Sequence, residues 1–159
     1  MIPDLFNSGG MPALEMGLRF AAERQKLLAS NIANFNTPNY RPLDVSTDKF
    51  QAALARAIDD RRAAGPVAQA SMGASAQARG LTGAEPFFKN TDEVRVRPDG
   101  SLELSPRTPS GNILFHDRNN RDLERNMQAL AENSAYFRTS AELLRSRFEL
   151  LRTAISQRV

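Results

Sequence analysis

The sequence predicts a mainly α-helical protein: N- and C-terminal helices forming an antiparallel coiled-coil-like domain, with an extended middle segment and a small β-hairpin. Two apolar stripes, one near each end of the chain, repeat at the alternating four- and three-residue spacing of paired helices. A third segment alternates apolar and charged residues about a Pro-Asp-Gly turn. The 159 residues include only 7% aromatics, so we expect part of the chain to need partners to fold.

The first predicted helix belongs to residues 12–35. Pro12 suits a first helical turn, and Pro38 ends the helix because the residue before a proline is pushed out of the α region. The residues that share the 4-3 spacing are Leu14, Leu18, Ala21, Gln25, Leu28, Ile32 and Phe35.

The second predicted helix belongs to residues 119–157 and completes the terminal helical domain. Asn119 and Asn120 are good N-caps, and Asp122 and Glu124 follow in the first turn, where the helix dipole favours negative charge. The stripe residues are Leu123, Met127, Leu130, Ser134, Phe137, Ala141, Leu144, Phe148, Leu151 and Ile155. The chain has a net charge of +3, but the arginines of this helix are interleaved with carboxylates. This pattern favours a solvated helix face over one that binds phosphate.

The middle of the chain divides into three parts. Residues 36–62 are predicted to be extended with a possible short helix, and residues 63–86, rich in Ala, Gly and Ser, to be a flexible loop. Residues 87–118 hold the hairpin. Its expected register sets Val96 opposite Leu102, Val94 opposite Leu104 and Arg95 opposite Glu103, and a hairpin this small must lean on another element.

The residues that catalysis usually requires are scarce. The chain has no cysteine and one histidine, His116, in a polar turn without a second ligand, so no metal site and no cofactor are expected. Ser46-Thr-Asp-Lys49 matches one penicillin-recognising motif, but the partner motifs are missing. We therefore expect no enzymatic activity and no small-molecule ligand. The first residues also lack the basic and apolar regions of a secretory signal peptide.

One junction is specific. Asn31-Ile-Ala-Asn-Phe-Asn-Thr-Pro-Asn-Tyr-Arg41, preceded by Arg24-Gln-Lys-Leu-Leu, resembles the N-terminal signature of the bacterial flagellar rod and hook proteins. The motif residues are Asn31, Ile32, Ala33, Asn34, Thr37, Pro38 and Tyr40. The lead-in and the ending Leu143-Leu-Arg-Ser-Arg-Phe-Glu-Leu-Leu-Arg-Thr-Ala-Ile155 are most similar to the proximal rod members.

Two departures from the family pattern bear on turns. The family usually has glycine where this chain has Asn39, and asparagine is the next best residue for a positive φ. Before the second helix, Arg118 and Arg121 replace a glycine and a valine of the family pattern, which leaves the contacts of that turn open.

The resemblance implies a structural subunit of the proximal rod of the flagellar basal body, whose terminal helices pair and then pack against those of neighbouring subunits. Such a subunit transmits torque and connects the basal ring and export apparatus to the outer rod. We call the residues expected to make these contacts the assembly seam: Leu14, Leu18, Leu28, Ile32, Leu123, Met127, Leu130, Phe137, Leu144, Phe148, Leu151 and Ile155.

The resemblance also implies partners and a route. Expected partners are copies of the chain, other rod proteins, basal-ring and rod-base adaptor proteins, and the flagellar type III export apparatus, with no nucleic acid. Export by that apparatus to the periplasm-spanning rod needs no cleaved signal peptide. Phe50 and Leu54 resemble the element by which early substrates engage the export gate, although the same spacing fits the buried face of a helix. The alternatives are another rod or hook subunit, or a basic helical nucleic-acid-binding protein.

Overall fold

The computed structural model describes residues 10–78, 88–97, 99–108 and 123–156, and within residues 64–78 it describes the backbone alone. The elements in chain order are α1 (Met11–Ala33), α2 (Thr47–Ala78), β1 (Val94–Val96), β2 (Leu102–Leu104) and α3 (Leu123–Ser156). The prediction of a mainly α protein with a small β-hairpin is confirmed.

The two terminal helices lie close to their predicted bounds. Helix α1 has its proline in the first turn and is capped at its C-terminus by Asn34, whose backbone N–H donates to Ser30 O. Helix α3 carries Glu124 in its first turn. The predicted caps Asn119 and Asn120 and the turn residues Arg118 and Arg121 lie outside the described residues, as does His116.

Helix α2 is longer than predicted. The prediction of a loop is wrong for residues 63–78, which continue the helix, and residues 79–86 lie outside the described residues. Alanine, which is frequent here, has the highest helix propensity, and a helix makes its hydrogen bonds internally, so these residues can be helical without packing against a core. Ser46 caps the N-terminus, with its Oγ accepting from the Lys49 backbone N–H at 3.3 Å. Ser46-Thr-Asp-Lys49, which matches a penicillin-recognising motif, therefore forms the start of a helix.

The hairpin has the predicted register. Val94 pairs with Leu104, Arg95 with Glu103 and Val96 with Leu102. Gly100 supplies the left-handed residue of the turn with a φ of 80°. The Asp99 carboxylate accepts from both the backbone N–H and the hydroxyl of Ser101, which closes the turn.

The hydrophobic core lies between α1, the start of α2 and the hairpin. Phe50 is its centre, because its ring stacks on Phe20 at a centroid distance of 3.9 Å and meets Phe88 at 5.6 Å. Met16, Val45 and Val94 complete the buried cluster. The expectation that the hairpin leans on another element is confirmed, since the apolar side chains of both strands pack against this cluster.

Helices α1 and α3 pack against each other and run antiparallel. Gln25, late in α1, contacts Ser134, early in α3, whereas Leu18 lies beside Ala141 and Leu144. At about 1.5 Å per residue, the 34 residues of α3 extend roughly 51 Å, against roughly 35 Å for the 23 residues of α1. The coiled-coil-like character of this pair stays a prediction.

Candidate assembly surface

The motif asparagine Asn31 fastens the chain that leaves α1. Its side chain is buried, its amide Nδ2 donates to Leu43 O at 2.8 Å, and its Oδ1 accepts from the Leu43 backbone N–H at 3.1 Å and the Tyr40 hydroxyl at 3.0 Å. Both edges of the amide are thereby used. No shorter polar side chain could make all three bonds, so the motif positions Asn31 and Tyr40 act as one unit.

The rest of the motif forms the helix stop. Asn34 Nδ2 donates to Ser30 O at 2.9 Å, and the Thr37 backbone N–H donates to Asn34 O at 2.9 Å. Asn39 adopts a φ of 61°, which confirms the expectation that an asparagine at this position can supply a positive φ. Thr37, Pro38 and Asn39 are exposed, whereas Ile32 is partly buried in α1 and Ala33 is exposed at its end.

An ion pair holds the segment after the motif against α1. The Arg24 guanidinium donates to both carboxylate oxygens of Asp44, at 2.9 and 2.7 Å, and the two side chains are only 11% and 24% exposed. The Asp44 backbone also exchanges two hydrogen bonds of 3.0 Å with Arg107, beyond the hairpin. Bidentate pairs of this kind fix geometry as well as charge. Arg24 belongs to the lead-in of the motif, so the lead-in and motif position the same segment.

A buried carboxylate joins the hairpin to α2. Glu93 accepts from Lys49 Nζ at 2.5 Å and from the Ser46 backbone N–H at 2.9 Å. These two hydrogen bonds, aided by the charges of Lys49 and Arg107, lower the pKa of Glu93 below its usual value against the opposing effect of burial. Ser46 is the N-cap residue of α2, so Glu93 supplies from the hairpin the carboxylate that a capping box normally takes from its own helix.

The contact between α1 and α3 is polar at its centre. Asn133 Nδ2 donates to Ala21 O at 2.9 Å and to Gln25 Oε1 at 2.8 Å, and Gln25 Nε2 donates to Ser134 Oγ at 3.1 Å. Among the described residues of α3, only Asn133 and Ser140 are buried. A buried polar residue between helices fixes their register, because any slip leaves its hydrogen bonds unmade.

Helices α1 and α3 also approach each other closely at Gly17. A Cβ atom placed on Gly17 of α1 would collide with the Tyr136 hydroxyl of α3. Gly17 is buried, whereas Tyr136 remains exposed along its flank. The absence of a side chain on Gly17 is what lets the Tyr136 ring lie over α1.

The assembly seam is only partly covered by the chain itself. Leu28 alone is buried, at 1% exposure. Seven seam residues are partly buried, namely Leu14, Leu18, Ile32, Leu123, Leu130, Leu144 and Leu151. Four others stay exposed by 38–56%: Met127, Phe137, Phe148 and Ile155. The buried positions of α3 lie beside the 4-3 stripe rather than on it, so α1 leaves one edge of the stripe open.

That open edge forms a shallow groove. Leu18 of α1 and Ala141, Leu144 and Phe148 of α3 supply its apolar walls. Arg145, Glu149 and Arg152 line the outer rim, where Arg145 Nε donates to Glu149 Oε1 at 3.1 Å. A groove with apolar walls and a charged rim fits another helix better than a polar ligand.

The two residues that resemble an export element lie in the core. Phe50 is 3% exposed and stacks on Phe20, and Leu54 packs against the same cluster. Sequence reasoning missed Phe20, Phe88, Asn133 and Glu93. For Phe20 a signal was present, since Met16 and Phe20 repeat at four residues on a second apolar face of α1.

No helix within residues 10–78, 88–97, 99–108 and 123–156 is long and apolar enough to span a membrane. The segment with the motif and its helix has a counterpart in a described family, because residues 14–41 match the family model "Flagella basal body rod protein". This match confirms the resemblance to flagellar basal-body rod proteins that the Asn31–Tyr40 motif indicates.

The likeness extends beyond that segment. The chain is similar to the flagellar basal body rod protein FlgB of Yersinia enterocolitica, with 27% identity over 149 residues, which is 94% of this chain and 95% of the relative. The similarity thus extends over nearly the whole length of the chain. No solved structure matches the chain.

Proposed function

We propose that the chain is a non-enzymatic structural subunit of the proximal rod of the flagellar basal body and that it polymerises through its terminal helices. The family match and the full-length similarity to a FlgB protein support a rod subunit in the basal body. Torque transmission and the connection of basal ring and export apparatus to the outer rod follow from that position.

One observation supports assembly through α3. The hydrogen bonds of Asn133 hold α3 against α1, whereas Phe137 and Ile155 of the seam stay exposed. A folded monomer gains nothing from exposed apolar residues at regular spacing, whereas an assembled subunit buries them against a neighbour. We infer that the polar contact fixes the register of α3 against α1 and that other subunits cover the exposed apolar residues of α3.

The proposed partners are copies of this chain and other rod proteins along the seam, with the basal ring and rod-base adaptors at the rod base. Delivery by the flagellar type III apparatus belongs to the same proposal. Phe50 and Leu54 would be accessible to an export gate only before folding, because both are packed in the core of the folded chain.

The proposal is tested by deleting the gene and by locating a tagged copy. Deletion is expected to abolish swimming and to leave basal bodies without a rod, and the tagged chain, restored to the deletion strain, is expected to co-purify with rods and restore motility. Rods of normal length in the deletion strain, or a tagged chain absent from purified basal bodies, would contradict the proposal.

A further inference from the structure

Helix α3 carries a second apolar column outside the assembly seam. Tyr136, Leu143 and Leu150 follow one another at seven-residue intervals and are 42%, 49% and 60% exposed. Residues seven apart return to within about 20° of the same direction on an α-helix, so these three side chains form one line. We call this line the Tyr136 column.

The Tyr136 column is continuous with the contact between α1 and α3. Ser140, buried in that contact, lies four residues after Tyr136 and three before Leu143, so it is their neighbour on the helix surface. Tyr136 itself reaches over Gly17 of α1. Helix α1 therefore covers the middle of the apolar side of α3 and leaves an open edge on each flank.

The other flank carries a column of the same period. Ala141, Phe148 and Ile155 also repeat every seven residues, and Phe148 and Ile155 are exposed by 46% and 55%. We call this line the Ile155 column. Corresponding residues of the two columns are five positions apart, which places the columns about 140° apart around the helix axis. One neighbour cannot cover both.

Charge distinguishes the two flanks. The outer side of the Ile155 column is bordered by the arginines Arg138, Arg145 and Arg152, and the outer side of the Tyr136 column by the hydroxyl residues Thr139, Ser146 and Thr153. Arg147 lies on the inner side of the Tyr136 column, between Leu143 and Leu150. The hydroxyls of Thr139 and Thr153 donate to carbonyls of their own helix, at 3.0 and 2.9 Å, which leaves their oxygens as acceptors for a guanidinium. Two Ile155 columns in antiparallel contact would instead bring two lines of arginine together, because the same flank of each helix then meets across the contact.

We propose, resting on the assembly function above, that the Tyr136 column of one copy packs against the Ile155 column of the next copy, with their α3 helices parallel. The equal seven-residue spacing lets the columns mesh over their whole length. Because the contact joins two different surfaces, each added copy presents the same free surface again, which gives an open helical array rather than a closed dimer.

The chain contains no cysteine, so single cysteines report the contact directly. Full-length Leu150→Cys, carrying a size tag, is mixed under mild oxidation with untagged Ile155→Cys and, separately, with untagged Phe148→Cys, at concentrations that give assemblies. The matched control is untagged Glu142→Cys, on the outward side of α3. The two mixing partners on the Ile155 column allow for either axial register of the meshed columns.

We expect a mixed disulfide dimer of tagged and untagged chains in at least one of the two mixtures, on the order of a hundredfold faster than with the control, as for a millimolar effective concentration against a ten-micromolar solution. Homodimers of Leu150→Cys that form as fast as the mixed dimer, or mixed dimers no faster than with Glu142→Cys, would overturn the proposal. Either result leaves the proposed function standing if the same variants still enter rods in cells.

Discussion

The two sides of α1 are used in different ways. Toward α2 and the hairpin, α1 presents Phe20 to a sealed aromatic cluster around Phe50. Toward α3 it presents Gln25 and the Ala21 carbonyl to a polar contact. The first side stabilises the monomer by burying apolar area, and the second fixes orientation while leaving apolar area for other chains. Folding and assembly are thus divided between two regions that share one helix.

Replacing a phenylalanine with alanine should destabilise the protein much more in the core around Phe50 than on the exposed edge of α3. Phe50→Ala should lower the free energy of unfolding by about 3–5 kcal/mol, because it empties the centre of the core. Phe137→Ala, at a side chain 38% exposed, should cost less than about 1.5 kcal/mol. Urea unfolding of both variants measures the difference. Equal losses would show that α3 is as much a part of the monomer core as Phe50.

The Phe50 variant also addresses export. If Phe50 serves the export gate, Phe50→Ala should reduce secretion of the chain even when the protein is made at normal levels. Secretion can be measured in culture supernatants of a strain that cannot complete the rod, and rod assembly can be measured separately in cells whose other rod genes are intact. Normal secretion together with failed rod assembly would show that Phe50 and Leu54 are only the buried face of a helix.

The polar contact should have an intermediate effect. Asn133→Ala removes the donor to the Ala21 carbonyl and to Gln25, so it should destabilise the chain by about 1–3 kcal/mol. Gln128→Ala removes only an exposed hydrogen bond to Glu132 and should cost less than about 0.5 kcal/mol. Thermal unfolding compares the two. If Asn133→Ala proved as mild as the control, the register of α1 and α3 would have to be set elsewhere.

The link between hairpin and α2 should depend on pH. The pKa of Glu93 is lower folded than unfolded, so its ionised form stabilises the protein above the unfolded pKa of about 4.3, and this contribution is lost as the pH falls through the folded value. Glu93→Gln should therefore be less stable than the parent at pH 7. The gap should narrow below about pH 4. A gap that stays constant from pH 7 to pH 3 would rule out the ionised contact.

The smallest expected effect lies in the motif turn. Asn39 has a positive φ, so Asn39→Ala should cost about 1 kcal/mol, whereas Asn39→Gly, the residue usual in the family, should be neutral within about 0.5 kcal/mol. Denaturant midpoints of the two variants measure this. Equal stability of the Ala and Gly variants would mean that the backbone conformation at position 39 does not limit the turn.

Local patterns in the sequence predicted the local structure well. The register of the hairpin followed from the alternation around Gly100, and the helix ends followed from Pro12 and Pro38, because these residues restrict backbone angles directly. The family motif likewise located the turn at Asn39. Each of these features depends on residues close together in the chain.

Contacts between distant residues were not predictable in the same way. The stripe through Leu28 identified one face of α1. The face through Phe20 packs in a cluster with Phe50 and Phe88, and the spacing of apolar residues within α1 cannot predict which distant residues it meets. Residues 63–78 are helical although their Ala, Gly and Ser content predicts a loop, because a helix forms its own hydrogen bonds and does not require a packed core. The 4-3 stripe of α3 did not reveal that Asn133 and Ser140, beside it, make the contact within the chain.

If the exposed apolar edge of α3 joins subunits, a charge at Ile155 should prevent assembly, and Ile155→Asp introduces one. Ile155 is 55% exposed, so the folded monomer should keep its stability within about 1 kcal/mol. In an assembly, the same carboxylate would replace apolar contact area and be desolvated, at several kcal/mol for every subunit added. Ala135→Asp, an equal charge change at an exposed position on the outward side of α3, outside the seam and both columns, is the control.

The measurement is swimming, together with electron microscopy of basal bodies, in cells whose chromosomal gene carries either substitution. We expect Ile155→Asp protein to be made and exported but rods to be missing and the cells not to swim, whereas Ala135→Asp cells swim normally. Normal rods and normal swimming with Ile155→Asp would contradict the claim that this edge of α3 holds subunits together.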